Sequence, residues 1–261
     1  MRRTTKQRLT RIVLYAVFAA VVLGVVLSMD WQRVGTQFFN LEVARKQLPQ
    51  IVTIALRNTL LFTVTSFAGG LLIGTLMALM KLSSATPYRL FATGYIELFR
   101  GIPALLTIFA MAYMLPIALG VQVPGGNIGA GLLGLILVAS AYMAEVIRSG
   151  IQAVPKGQRE AARSLGMSQS RTMISVVLPQ AFRIVIPPVT NEFVLLLKDT
   201  SLLFIAGSTL QTKELTTFAR DGLTTNANAT PLIMAAMLYL VVTIPLTSLV
   251  ARMEKRMARA R

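Results

Sequence analysis

Cysteine and histidine are both absent from the 261 residues. Disulfides and thiol chemistry are therefore excluded, and the usual zinc sites cannot be assembled. A serine or cysteine hydrolase with histidine as its base is excluded too. Charge is scarce: 14% of residues carry it, while 54% are hydrophobic, against roughly a quarter charged in a soluble domain. Acidic residues are the scarcest, 10 against 26 basic ones, for a formal charge of +16. Such an excess suits nucleic acid, but its placement does not. Long uncharged apolar runs separate the basic clusters, which is the pattern of a chain that crosses a lipid membrane. Aromatic side chains are not interleaved with the basic ones as a nucleic-acid platform requires, so nucleic acid is not an expected partner. No G-x-x-x-x-G-K-[ST] run occurs, so this chain carries no such phosphate-cradling loop of its own.

The apolar runs predict six membrane helices and an all-α fold. Residues 12–29 form the first, between Arg11 and Asp30. A signal peptide is the rival reading of such a stretch, but no A-x-A-like cleavage site ends it, and a retained helix is expected. Residues 58–80 form the second, closed by Lys81. The chargeless stretch 101–144 holds two more, with the turn at Pro124-Gly125-Gly126-Asn127. The fifth lies in 184–210 and the sixth in 232–250. Six spans place both termini on one side. With the basic ends on the cytoplasmic side, 18 Lys/Arg lie inside and five outside, and Arg57, Arg100 and Lys198 fall in or at spans. Every loop then obeys the positive-inside rule.

The longest polar loop, 149–183, carries its own signal. Pro155 can open a helix, and Glu160 complements the positive helix N-terminus. Ala161, Ala162 and Leu165 fall at i, i+1 and i+4, a shallow apolar knob suited to a groove on another protein. Gly166 is a natural left-handed stop. The plainer reading is an amphipathic helix lying on the bilayer, which usually carries bulkier anchors than these.

Glu160-Ala161-Ala162, Gly166 and Leu178-Pro179 match EAA-x3-G-x9-I-x-L-P, with Val176 in place of the isoleucine. The chain thus resembles the EAA-loop permeases of ABC importers. Tyr142 to Gln158, Leu178-Pro179-Gln180-Ala181-Phe182-Arg183, Asn191-Glu192, Lys198 to Leu202 and Glu97 to Pro103 look like its polar-amino-acid branch. The resemblance implies a type I ABC-importer permease (MetI-like) fold with a five-helix core and one added N-terminal helix. Residues 1–50 would hold the N-terminal tail, first helix and outer loop, 51–251 the core, and 252–261 a basic tail. It also implies ABC ATPase subunits docked on Glu160, Ala161, Ala162, Leu165 and Gly166, with ATP and Mg²⁺ on the partner chain and no cofactor on this one. A second permease subunit, an extracytoplasmic solute-binding protein and an amino acid substrate complete the expected partners. The setting would be a bacterial cell (inner) membrane, with both termini cytoplasmic.

Charges inside the fifth span need another account. Glu192, Lys198 and Asp199 each cost about 2.5–3.5 kcal/mol at mid-membrane, while a leucine returns only about 0.3–0.6. This span must face protein or a wet cavity. Lys198 and Asp199 sit roughly 100° apart around a helix and cannot neutralise one another on one face. Asp199-Thr200-Ser201 offers N-cap chemistry, so a half-helix start that receives a substrate carboxylate is one expectation. A buried network that only orders the bundle is the other. Asn191, Asn58 and Thr59 join the candidate pathway, although interhelical hydrogen bonds would serve Asn58 and Thr59 equally. Glu97/Arg100 and Glu145/Arg148 are i, i+3 pairs, read either as gate residues or as local helix support. Gly70-x-x-x-Gly74 permits close helix approach. An ion-coupled secondary amino acid transporter would also bury such charges, but no internal repeat with paired broken helices is evident. A structural membrane scaffold would leave them unexplained.

Overall fold

The computed structural model describes residues 3–120 and 123–258, and every regular element among them is helical. Arg2, Arg259 and Arg261, which enter the charge count, lie outside the described residues. The helices are α1 (Arg3–Ser28), α2 (Trp31–Phe38), α3 (residues 41–82), α4 (Thr86–Gly101), α5 (Ala104–Leu119), α6 (Gly126–Gln152), α7 (Lys156–Ser164), α8 (Gln169–Ala206), α9 (Leu215–Asn226) and α10 (Thr230–Ala258). Five of them (α1, α3, α6, α8 and α10) are long and apolar enough to cross a membrane, and α4 with α5 makes a sixth span bent by 104°. The bend falls at Ile102 and Pro103, both extended, because the proline ring drives the residue before it out of the helical region. Gly101 and Pro103 thus flank the break between α4 and α5.

Three spans begin well before their uncharged stretches, the third span at Thr86 of α4 rather than at 101. The second starts at Leu41 rather than 58, and Asn40 caps it by accepting the Glu42 and Val43 N–H groups at 3.0 and 3.2 Å. Arg45, Lys46 and Arg57 hide this part from any charge-free criterion. Pro49 stays inside the helix, followed by a widened π turn over Ile51–Leu56. A domain boundary at residue 50 therefore falls within one continuous helix. The fifth span starts at Gln169 rather than 184, continuing through Arg171 and Arg183.

Helix α6 is the axis of the bundle, 61% of its apolar stretch being buried, against none for Thr10–Ser28 of α1. Lipid tails are as apolar as leucine, so close packing rather than water exclusion holds such helices together. On α3 the small residues Thr59, Thr63, Ser66, Gly70 and Gly74 form one buried stripe. A Cβ at Gly74 would lie 2.7 Å from the Ser140 carbonyl oxygen of α6. The GxxxG pair is thus the contact line between α3 and α6. Near the other end of α6, a Cβ at Gly150 would stand 2.1 Å from a Val185 methyl of α8.

At the opposite end from α7, backbone and side-chain hydrogen bonds add to the packing of Ile51, Ala55, Leu215, Phe218, Ala219 and Ala235. The Ala229 N–H and the Asn228 amide donate to the carbonyls of Gln37 and Thr36, each at 2.8 Å. These bonds fasten α2 to the α9–α10 turn. Glu214 opens α9 by accepting the N–H groups of Thr216 and Thr217, both at 2.6 Å. Burial pushes its carboxyl up from the ordinary value, and the threonine hydrogen bonds oppose that shift.

Candidate functional site

Helix α7 stands between α6 and α8 with its two sides distinct. Glu160 and Ala161 are exposed, and Leu165, just past its end, is 84% exposed. Ala162 is turned inward and buried. A knob of Ala161, Ala162 and Leu165 together is therefore not presented outward; Glu160, Ala161 and Leu165 form the outer face. Helical phase groups the three, but packing against residues 169–177 of α8 decides which side is covered. Gly166 adopts φ +81° and closes a Schellman motif: its N–H donates to Arg163 O at 3.0 Å, and Met167 N–H to Ala162 O at 3.1 Å. The stop fixes where the helix ends and leaves Leu165 standing clear.

The charged stretch of α8 behaves otherwise. Lys198 is exposed, Glu192 and Asp199 are half-buried, and none of the three makes an ion pair among the described residues. Lys198 and Ser201 line a cavity of about 460 Å³ together with Thr216 of α9 and Ala236, Tyr239, Leu240 and Thr243 of α10. One lysine and four hydroxyl-bearing residues thus border a largely apolar cavity, with the Thr243 hydroxyl donating to Tyr239 O at 2.7 Å. The expected half-helix start does not form. Asp199 remains in the helical region (φ −69°, ψ −19°) without a side-chain cap bond, and α8 only tightens into a 3₁₀ turn over Thr200–Ala206. Thr200 is fully buried and donates to Leu197 O at 2.7 Å, so it faces the bundle rather than the cavity. Asn191 is exposed on the turn before Glu192.

Residues 70–259 match the model of the family described as "binding-protein-dependent transport system inner membrane component". The chain belongs to this family. Among relatives, the probable glutamine ABC transporter permease protein GlnM of Bacillus subtilis (strain 168) is 39% identical over 78% of this chain and 91% of its own. The arginine transport system permease protein ArtQ of the same strain is 33% identical over 80% and 94%. A solved structure of an amino acid ABC transporter with histidines superposes with a TM-score of 0.73 at 36% identity, covering 81% of this chain and 95% of that one. The MetI-like permease fold expected from the loop motif is therefore the fold of this inner-membrane component.

Other candidate residues of the permease component hold structure together. The Asn58 amide donates to Gln211 O at 2.7 Å and to Lys213 O at 3.0 Å. Thr59 is buried and accepts the Leu215 N–H at 3.1 Å. Both pin the segment before α9 rather than line the cavity. Glu145 and Arg148 form an ion pair, and Lys81 of α3 joins it at 3.3 Å. Glu97 and Arg100, by contrast, form no ion pair among the described residues; Arg100 lies over the Tyr142 ring, 5.4 Å from its centroid. Thr216, Tyr239 and Thr243 are absent from the sequence-based candidates. Isolated hydroxyls carry no motif, and only the packing of α9 and α10 against α8 brings them to Lys198.

Proposed function

We propose that this chain is the membrane-spanning subunit of an ATP-binding-cassette importer that carries a polar or charged amino acid into the cytoplasm. The observation that carries the reading is the outward Glu160–Ala161–Leu165 face of α7, fixed by the Gly166 stop, on a six-span permease fold. A partner ATPase subunit, holding ATP and Mg²⁺, receives that face. The α7 end of the bundle lies in the cytoplasm with both chain termini, as the positive-inside rule directs. A second permease subunit, identical or related, completes the path, and an extracytoplasmic binding protein delivers the substrate. ATPase closure draws the coupling helices together and opens the path outward; release of ADP and phosphate reverses it. By linkage, loaded binding protein must promote the closed ATPase state as strongly as that state favours the loaded binding protein.

Within the membrane, the cavity at Lys198 is the substrate's station. Its size of about 460 Å³ lies in the range that holds small ligands. Lys198 suits the α-carboxylate, and Ser201, Thr216, Tyr239 and Thr243 suit the ammonium and polar side chain. Relatives named for glutamine and for arginine support a polar amino acid as the class.

Purification of the chain from its native membrane in mild detergent tests the assignment. An ATPase subunit recovered in equal ratio is the expected result. Its absence, under conditions that keep a known importer intact, would turn the reading towards an ion-coupled carrier with Glu192 and Asp199 as its relay.

A further inference from the structure

The outward side of α7 is absorbed by docking, but its inward side carries a residue that no motif assigns. Arg159 lies three positions before the buried Ala162 and so on the same inward side. Its Nη2 donates to the Ile151 carbonyl oxygen at 2.8 Å. Ile151 sits in the last turn of α6, where carbonyls lack intrahelical partners and the helix dipole is negative. A guanidinium is therefore both a hydrogen-bond partner and a counter-charge there. The same turn of α6 carries Gln152, which Arg148 holds while gripping Glu145, and Glu145 in turn holds Lys81 of α3. Arg159 thus ties α7 to the last turn of α6, and the polar contacts of Gln152, Arg148 and Glu145 on that same helix end lead on to Lys81 of α3.

We infer that Arg159 is the positioning residue through which movement of α7 is transmitted to α6 and α3. The alternative route is the backbone through Ala153 to Pro155, which leaves the helix end less defended against bending at Pro155. Arg159 also keeps its Nε–H buried, with no acceptor among the described residues. The inference rests on the ATPase-docking reading of the outer face, and it concerns the opposite face.

The test uses the whole transporter in lipid nanodiscs, with its ATPase and substrate-loaded binding protein. Arg159→Ala should retain the ATPase in equal ratio and keep unstimulated hydrolysis. Stimulation by loaded binding protein should fall at least about fivefold, the lower end of ordinary allosteric coupling. Arg159→Lys, which keeps a cation and a donor near the Ile151 carbonyl, should restore part of that stimulation. Wild-type stimulation in Arg159→Ala would overturn the inference, as would loss of the ATPase subunit from that variant, which would make Arg159 a docking residue. If the unmodified chain recruits no ATPase, the functional reading itself fails, and this inference falls with it.

Discussion

Lys81, Glu145 and Arg148, near the α7 end, and Glu192, Lys198 and Asp199, along α8, are two charged groups on apolar helices with opposite fates. In the first, side-chain exposures of 22–24% leave little water, and each charge touches another. In the second, no charge makes an ion pair among the described residues, and Lys198 opens onto a cavity. Paired charges tie α3 to α6, whereas those of α8 join no ion pair among the described residues. The cost of charge in a membrane is thus met by direct pairing in the first group only.

Breaking the paired group should hurt stability most. Glu145→Ala strands two cations, and about 2–3 kcal/mol should be lost, below the 3–5 of a fully buried pair because some water remains. Thermal unfolding in detergent measures this, and an unchanged midpoint would remove the tie between α3 and α6. Lys198→Ala should reverse the pattern. Loss of one charge-assisted hydrogen bond, about 1.5–3 kcal/mol, should raise the apparent KM for transport tenfold or more while the unfolding midpoint holds. A fall in stability with normal KM would place Lys198 among the structural charges. Asn58→Ala loses two neutral bonds, about 1 kcal/mol in all, and amide exchange at Leu215 should quicken without a KM change. Glu214 gives the smallest effect. Its raised pKa means that the folded state holds the proton more tightly than the unfolded chain. Its contribution to stability is present at low pH and lost as pH rises through the raised value. Glu214→Gln should flatten that dependence in unfolding curves taken across pH, and an unaltered slope would assign it to another group.

Much of this was legible from residues alone, for reasons that also mark the boundary. Uncharged runs locate membrane cores because charge is expensive there, yet they miss helix parts beyond the apolar slab, such as 41–57 with Arg45, Lys46 and Arg57. Pro103 announces the break after α4, since proline acts on the residue just before it. The stop at Gly166 is legible for the same local reason. Which side of α7 is covered is not local, and Ala162 turned out to face inward. Asn58 and Thr59 look like pathway residues because polarity in an apolar run has two explanations, and only the segment at 211–215 chooses between them. Tyr239 lies 41 positions beyond Lys198, a separation that no spacing rule bridges.

Helix α1 shows no buried residue from Thr10 to Ser28 and is joined to the bundle through the α2 elbow, whose Trp31 indole donates to Val26 O at 2.8 Å. Its arrival in the bilayer and the assembly of the remaining spans are consequently separable events. Sequence drift along it is free of the volume constraints that govern α6. It can change length, tilt or companions on its own schedule, as an appendage rather than a beam.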